Sequence, residues 1–124
     1  MTVPILKHGD YLIASVQSSL TDNQLKELLD SLVIKVASVR AKGVIVDVTI
    51  LDIMDSFATR ILRDMAHMIK LRGAPTVVVG IQPDVALAMV QLGLSLGDIN
   101  TALDLEEGIT LLNDYNNIDH NGKG

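Results

Sequence analysis

Cysteine and tryptophan are missing from these 124 residues, and the aromatic complement is two tyrosines and one phenylalanine. Without cysteine there are no disulfides and no thiolate chemistry, which suits a reducing compartment. With so few rings, a chain that is 48% hydrophobic must build its core from Leu, Ile, Val, Ala and Met. Positive charge is scarce too: 10 Lys and Arg against 15 Asp and Glu leave a net charge of -5. That balance argues against nucleic acid and anionic membrane as partners, because both are held by basic surfaces. No apolar run approaches the roughly 18 residues of a membrane span. The opening Met1-Thr2-Val3-Pro4 lacks the basic region of a secretory leader, and the protein is expected to work in the cytoplasm.

A chain of this size buries roughly 65% of its unfolded surface in a single core. Residues 1–114 are expected to form one domain. Residues 115–124, mostly Asn, Asp, Gly and Lys, read as a flexible polar tail. The mean hydropathy of +0.37 is high for a small monomer, so part of the apolar surface is expected to be covered by other chains.

Two β-branched runs, Val3 to Lys7 and Tyr11 to Val16, flank the turn His8-Gly9-Asp10 and predict a hairpin. Thr21 with Gln24 is a capping box, and Leu25, Leu28, Leu29, Leu32, Val36 and Val39 give the following helix one apolar stripe. Gly43 is the expected left-handed cap. A buried strand follows from Val44 to Val48, then a helix from Ser56 to about Arg72 whose inner face carries Phe57, Ile61, Leu62, Met65 and Ile69. Pro75 to Val79 is the next strand and Gly80-Ile81-Gln82 a short loop. Pro83 opens a third helix, and Ala102-Leu103 forms a last short strand. Asp104, with Glu107 three residues on, caps a fourth helix docked by Ile109, Leu111 and Leu112. The order β-β-α-β-α-β-α-β-α describes an α/β fold with a mostly parallel sheet of about five strands and helices packed against it.

The stretch from Val44 to Phe57 concentrates the chemistry. A buried strand runs into an acidic loop holding Asp47, Asp52 and Asp55, then turns into a helix at Ser56. Ligands and partners meet open α/β sheets at this carboxyl edge. Phosphate loops of the GxxxxGK[ST] and GxGxxG types are absent. His8, His67 and His120 are scattered, without metal-ligand spacing. Ser56 lacks the flanks of a hydrolase nucleophile. Asp47 and Asp52 make a magnesium-dependent phosphoryl enzyme a remote alternative, but the companion residues of a phospho-accepting receiver are missing after the other strands. Two readings of Ser56 stay open: a helix cap, or a phosphate acceptor at a helix start where backbone amides accommodate negative charge.

The segment Gly43 to Val48, the loop Leu51-Asp52-Ile53-Met54-Asp55-Ser56-Phe57, Gly73-Ala74 and Gly80-Ile81-Gln82-Pro83 together resemble a STAS domain of the anti-sigma-factor antagonist type over about Val3 to Leu112. Gly80-Ile81-Gln82-Pro83 and Thr101-Ala102-Leu103-Asp104-Leu105-Glu106 are similar, more narrowly, to the small subunit of the bacterial stressosome. The resemblance implies the STAS fold, no catalytic residues, no metal and no cofactor. It implies that Ser56 is phosphorylated by a partner-switching, RsbT-like serine kinase and restored by an RsbX-like phosphatase, with Thr59 as a second candidate acceptor. The partner-binding face would comprise Asp47, Asp52, Asp55, Ser56, Gly80 and Gln82. The implied role is a scaffold that co-assembles with a larger STAS paralogue of RsbR type and sequesters the kinase in the general stress response. The alternative is a stand-alone anti-anti-sigma factor that binds an anti-sigma kinase.

Overall fold

The alternation of apolar residues along the strands decides the architecture of the computed structural model, which describes residues 3–97 and 99–120. The elements are β1 (Ile5–His8), β2 (Tyr11–Ser15), α1 (Asp22–Val39), β3 (Gly43–Asp47), α2 (Ser56–Leu71), β4 (Thr76–Val79), α3 (Pro83–Gln91), β5 (Asn100–Ala102) and α4 (Leu105–His120). Five strands form one sheet in sequence order, with β1 antiparallel to β2 and every other pair parallel. Leu12, Ala14, Val44, Val46 and Val78 face α1, α2 and α3, packed with Leu28, Leu32, Leu62, Met65 and Ile69. The alternate residues Tyr11, Ile13, Ile45, Val77 and Val79 face α4 through Leu112. Both faces of β3 and β4 are therefore covered, which is why these strands read as unbroken apolar runs. No helix among the described residues is long and apolar enough to cross a membrane.

Thr21 caps α1 as its sequence pattern requires, its hydroxyl accepting from Gln24 N–H at 3.2 Å while the Gln24 side chain accepts from Thr21 N–H at 2.9 Å. The end of α1 differs from expectation. Arg40, at φ 53° and ψ 49°, takes the left-handed position, and Gly43 is already the first residue of β3. Gly43 is needed for space instead: a Cβ there would lie 2.7 Å from Leu112 Cδ2, so α4 can approach the sheet only over a glycine. Phe57 is half-buried rather than core, Leu111 is exposed, and β5 lies one to two residues earlier than the Ala102-Leu103 pair.

The polar tail expected from Tyr115 is helical as far as His120, because α4 continues through it. The cause is a polar tie that a composition count cannot show. Tyr11 donates its hydroxyl to Asn113 Oδ1 at 2.5 Å, and Asn116 Nδ2 donates to Tyr11 Oη at 3.3 Å and to the Leu112 carbonyl at 2.9 Å. The rest of that tail lies outside the described residues.

Candidate functional site

The β3–α2 loop leaves the sheet at Asp47 and re-enters the fold at every third residue. Val48 and Met54 are buried and Leu51 half-buried, whereas Ile50 and Ile53 stay 58% and 75% exposed. Two large aliphatic side chains of the loop that leads to Ser56 are thus held in water while Val48 and Met54, on either side of them in the chain, are buried. Asp55 closes the loop. Its carboxylate accepts from Ala58 N–H at 2.8 Å, with φ -80° and ψ 179°, so Asp55 is the N-cap of α2. Ser56 is the first helical residue and is exposed. The cap reading of Ser56 is thereby removed: the neighbouring aspartate does that work, and the serine hydroxyl is not used to start the helix. No acidic side chain stands in the first turn of α2.

Thr59 stands apart from Ser56. It is 2% exposed, and its hydroxyl donates to the Asp55 carbonyl at 2.8 Å. A kinase cannot reach that oxygen without opening the helix, which withdraws Thr59 as an acceptor. Phe57, next to Ser56, organises positive charge: Lys26 Nζ and the Arg60 guanidinium each lie 5.8 Å from its ring centroid.

Asp47 makes no open ligand set either. Its Oδ1 accepts from both the N–H (3.0 Å) and the hydroxyl (2.6 Å) of Thr49, forming a tight side-chain turn. Thr49 is the residue that sequence reading missed. Gln82 Nε2 donates to the Thr49 carbonyl at 2.5 Å, and Gly80, at φ 81°, backs directly onto the Thr49 side chain, where an added Cβ would lie 3.0 Å from Thr49 Cβ. Asp47, Gly80 and Gln82, three separate residues of the expected partner face, are joined through one threonine. The local signal was Asp47-Val48-Thr49, an aspartate two residues before a hydroxyl-bearing residue, but the partners across the sheet edge had no signature. Asp52 is exposed on the same loop. Among the described residues no group of three or more His, Asp or Glu is placed to hold a metal ion. The arrangement presents an exposed acidic loop tied to the β4–α3 loop, with the Ser56 hydroxyl exposed where α2 begins.

A parallel sheet in this order, opened by an antiparallel hairpin and presenting a serine at the start of the helix after β3, defines a class. The STAS domain signature matches residues 2–108, and the chain belongs to the STAS domain family. Within that family it stands with RsbS: it is 33% identical to RsbS of Moorella thermoacetica, solved as a serine-to-glutamate variant, over 93% of this chain and 97% of that one, with a TM-score of 0.80. A chain from the work on the molecular architecture of the stressosome, described there as a signal integration and transduction hub, is 34% identical with a TM-score of 0.77, covering 90% of this chain and 97% of the other. The "RsbT co-antagonist protein RsbRA" of Bacillus subtilis (strain 168) is 25% identical over 91 residues, or 73% of this chain. The match takes in only 33% of that longer protein.

Proposed function

We propose that this chain is a non-enzymatic, phosphorylation-switched subunit of a stressosome-type assembly. Unphosphorylated, the Ser56 face binds a serine kinase of the partner-switching, RsbT-like class; phosphorylation of Ser56 releases it. The observation that carries this reading is the position of Ser56, exposed at the first residue of α2 with Asp55 already serving as the cap. A phosphate added there meets free helix amides, so the domain keeps its fold. It also adds roughly -1.5 to -2 charges among Asp47, Asp52 and Asp55 and beside Ile50 and Ile53, where a partner's apolar contact would be. The switch therefore acts on the partner rather than on the domain.

Likeness to RsbS and to a stressosome chain supports assembly, as does likeness to the longer RsbRA. So do the apolar side chains left in water on α3, where Leu87 is 58% and Val90 76% exposed. An RsbR-type paralogue is the proposed co-subunit and an RsbX-like phosphatase the proposed reset. The test is mass spectrometry after incubation with a serine kinase of this class and ATP. A single phosphate on Ser56, lost in Ser56→Ala, is expected. Phosphate on another residue, or none, would overturn the reading. Light scattering with an RsbR-type paralogue separates the scaffold, which forms a large particle, from a stand-alone antagonist, which stays small.

A further inference from the structure

The ring of Phe57 gathers two cations from two helices of an acidic chain. Lys26, from α1, and Arg60, one turn further along α2, each stand 5.8 Å from its centroid. Both are exposed. Ser56 and Arg60 are four residues apart on α2, which sets their Cβ atoms roughly 6 Å apart on one side of the helix. They line the same open groove, together with Phe57, Gly93, Leu94 and Ser95.

Long side chains on a helix lean toward its N-terminus, over the residues three and four positions back. For Arg60 those residues are Phe57 and Ser56. The guanidinium occupies the first of these two positions, over the ring. At an exposed site that contact is weak, whereas paired charge-assisted bonds from a guanidinium to a phosphate are strong. A phosphate on Ser56 therefore gives Arg60 a better partner one position along the helix, reached by rotation of its own side chain with no movement of the backbone.

We infer that Arg60 is the built-in counter-ion of phosphorylated Ser56, leaving the Phe57 ring to pair with the phosphate once it is added; this rests on the proposed acceptor role of Ser56, and on side chains rather than on the amides of the helix start. The other charged groups around the start of α2 among the described residues are Asp22 and Lys26 from α1, Asp52 and Asp55 from the loop, and Arg63 from α2. The carboxylates oppose the second ionisation of the phosphate, and Arg60 favours it. One guanidinium offsets only one of the roughly two added charges, so negative charge remains for a partner to meet. Phosphorylation would also change the uncharged part of this surface, because the Phe57 ring loses one of its two cations.

The test is phosphorus and proton–nitrogen NMR of the full chain carrying phosphate on Ser56, introduced during translation as phosphoserine so that no kinase is needed. The second pKa of the phosphate, about 6 without partners, should be lower in the otherwise wild-type chain than in Arg60→Gln by about half a unit, or about threefold in the ionisation constant. The Arg60 Nε–H resonance should shift on phosphorylation and follow the same titration. Arg60→Lys should restore part of the lowered pKa, and Lys26→Gln should raise it less than Arg60→Gln does. Three results would overturn the contact: the same phosphate pKa with and without Arg60, an Arg60 Nε–H signal indifferent to the phosphate, or an equal rise in Arg63→Gln, which would reduce the effect to net charge. Phosphate on another residue after incubation with the kinase would overturn the acceptor role instead, so the two failures are told apart.

Discussion

Two helices of this domain start in nearly the same way and end up with different jobs. Both α2 and α4 begin where the chain leaves the carboxyl edge of the sheet. In each, an aspartate caps the helix by accepting from the amide three residues on, Asp55 from Ala58 at 2.8 Å and Asp104 from Glu107 at 2.9 Å. They diverge within the first turn. α4 places Glu106 and Glu107 there, and the Glu107 carboxylate reaches back to Leu103 N–H at 3.2 Å, so its positive end is met from within. α2 has no acid in its first turn and offers a serine, whereas α1 and α3 carry Asp22 and Asp84 in theirs. Negative charge is welcome at every helix start. At α2 that position carries no acid of its own, which is where the proposed phosphate would add one.

The sharpest way to break this comparison is to place the same charge at both helix starts. Ser56→Asp is expected to weaken kinase binding by about two orders of magnitude, roughly 3 kcal/mol, while Leu105→Asp, the equivalent position on α4, leaves the affinity unchanged. Ser56→Ala should bind like wild type. Calorimetry with a purified kinase reads all three, and equal loss from the two aspartates would reduce the effect to net charge.

The next effect concerns what holds the α2 entrance in place. Gly80→Ala puts a side chain at positive φ and against Thr49, and should cost about 2 kcal/mol in urea unfolding. Kinase affinity should fall with it, because the loop bearing Ser56 is backed by the same threonine. Unchanged affinity in a folded Gly80→Ala protein would detach the β4–α3 loop from the docking face.

Smallest are the caps themselves. Asp55→Ala and Asp104→Ala should each lose about 1 kcal/mol, with Asp104→Ala at the lower end because Glu106 and Glu107 still face the helix start. A much larger loss for Asp104→Ala would mean that α4, not α2, has the more exposed terminus.

Much of this was legible in the residues, and the reasons for the exceptions are physical. Capping boxes and apolar stripes act over three or four residues, so Thr21, Asp104 and the stripe from Leu25 to Val36 could be read directly. The acidic loop with its serine could be read too, although the sequence left open whether Ser56 was a helix cap; only the bond from Ala58 N–H to Asp55 decides it. Features that depend on contacts distant in the chain could not be read. Gly43 looks like a helix stop until Leu112, from the far end of the chain, comes to rest on it. The Asn-rich stretch after Leu112 looks unstructured until Tyr11 supplies partners for Asn113 and Asn116. Thr59 looks like a second acceptor until the helix buries it. Thr49 is invisible as a hub because two of its three partners lie on another loop.

That threonine has a kinetic consequence. Because Asp47 and Gln82 both bond Thr49 and Gly80 packs against it, the β3–α2 and β4–α3 loops are tied together before any partner arrives. On the proposed reading, a kinase landing on either loop would find the other in position, leaving little ordering to slow or weaken the encounter. Complex lifetime is then governed by how fast a finished contact comes apart, the quantity in which related complexes usually differ. The proposed switch would then combine long retention of the partner with abrupt release.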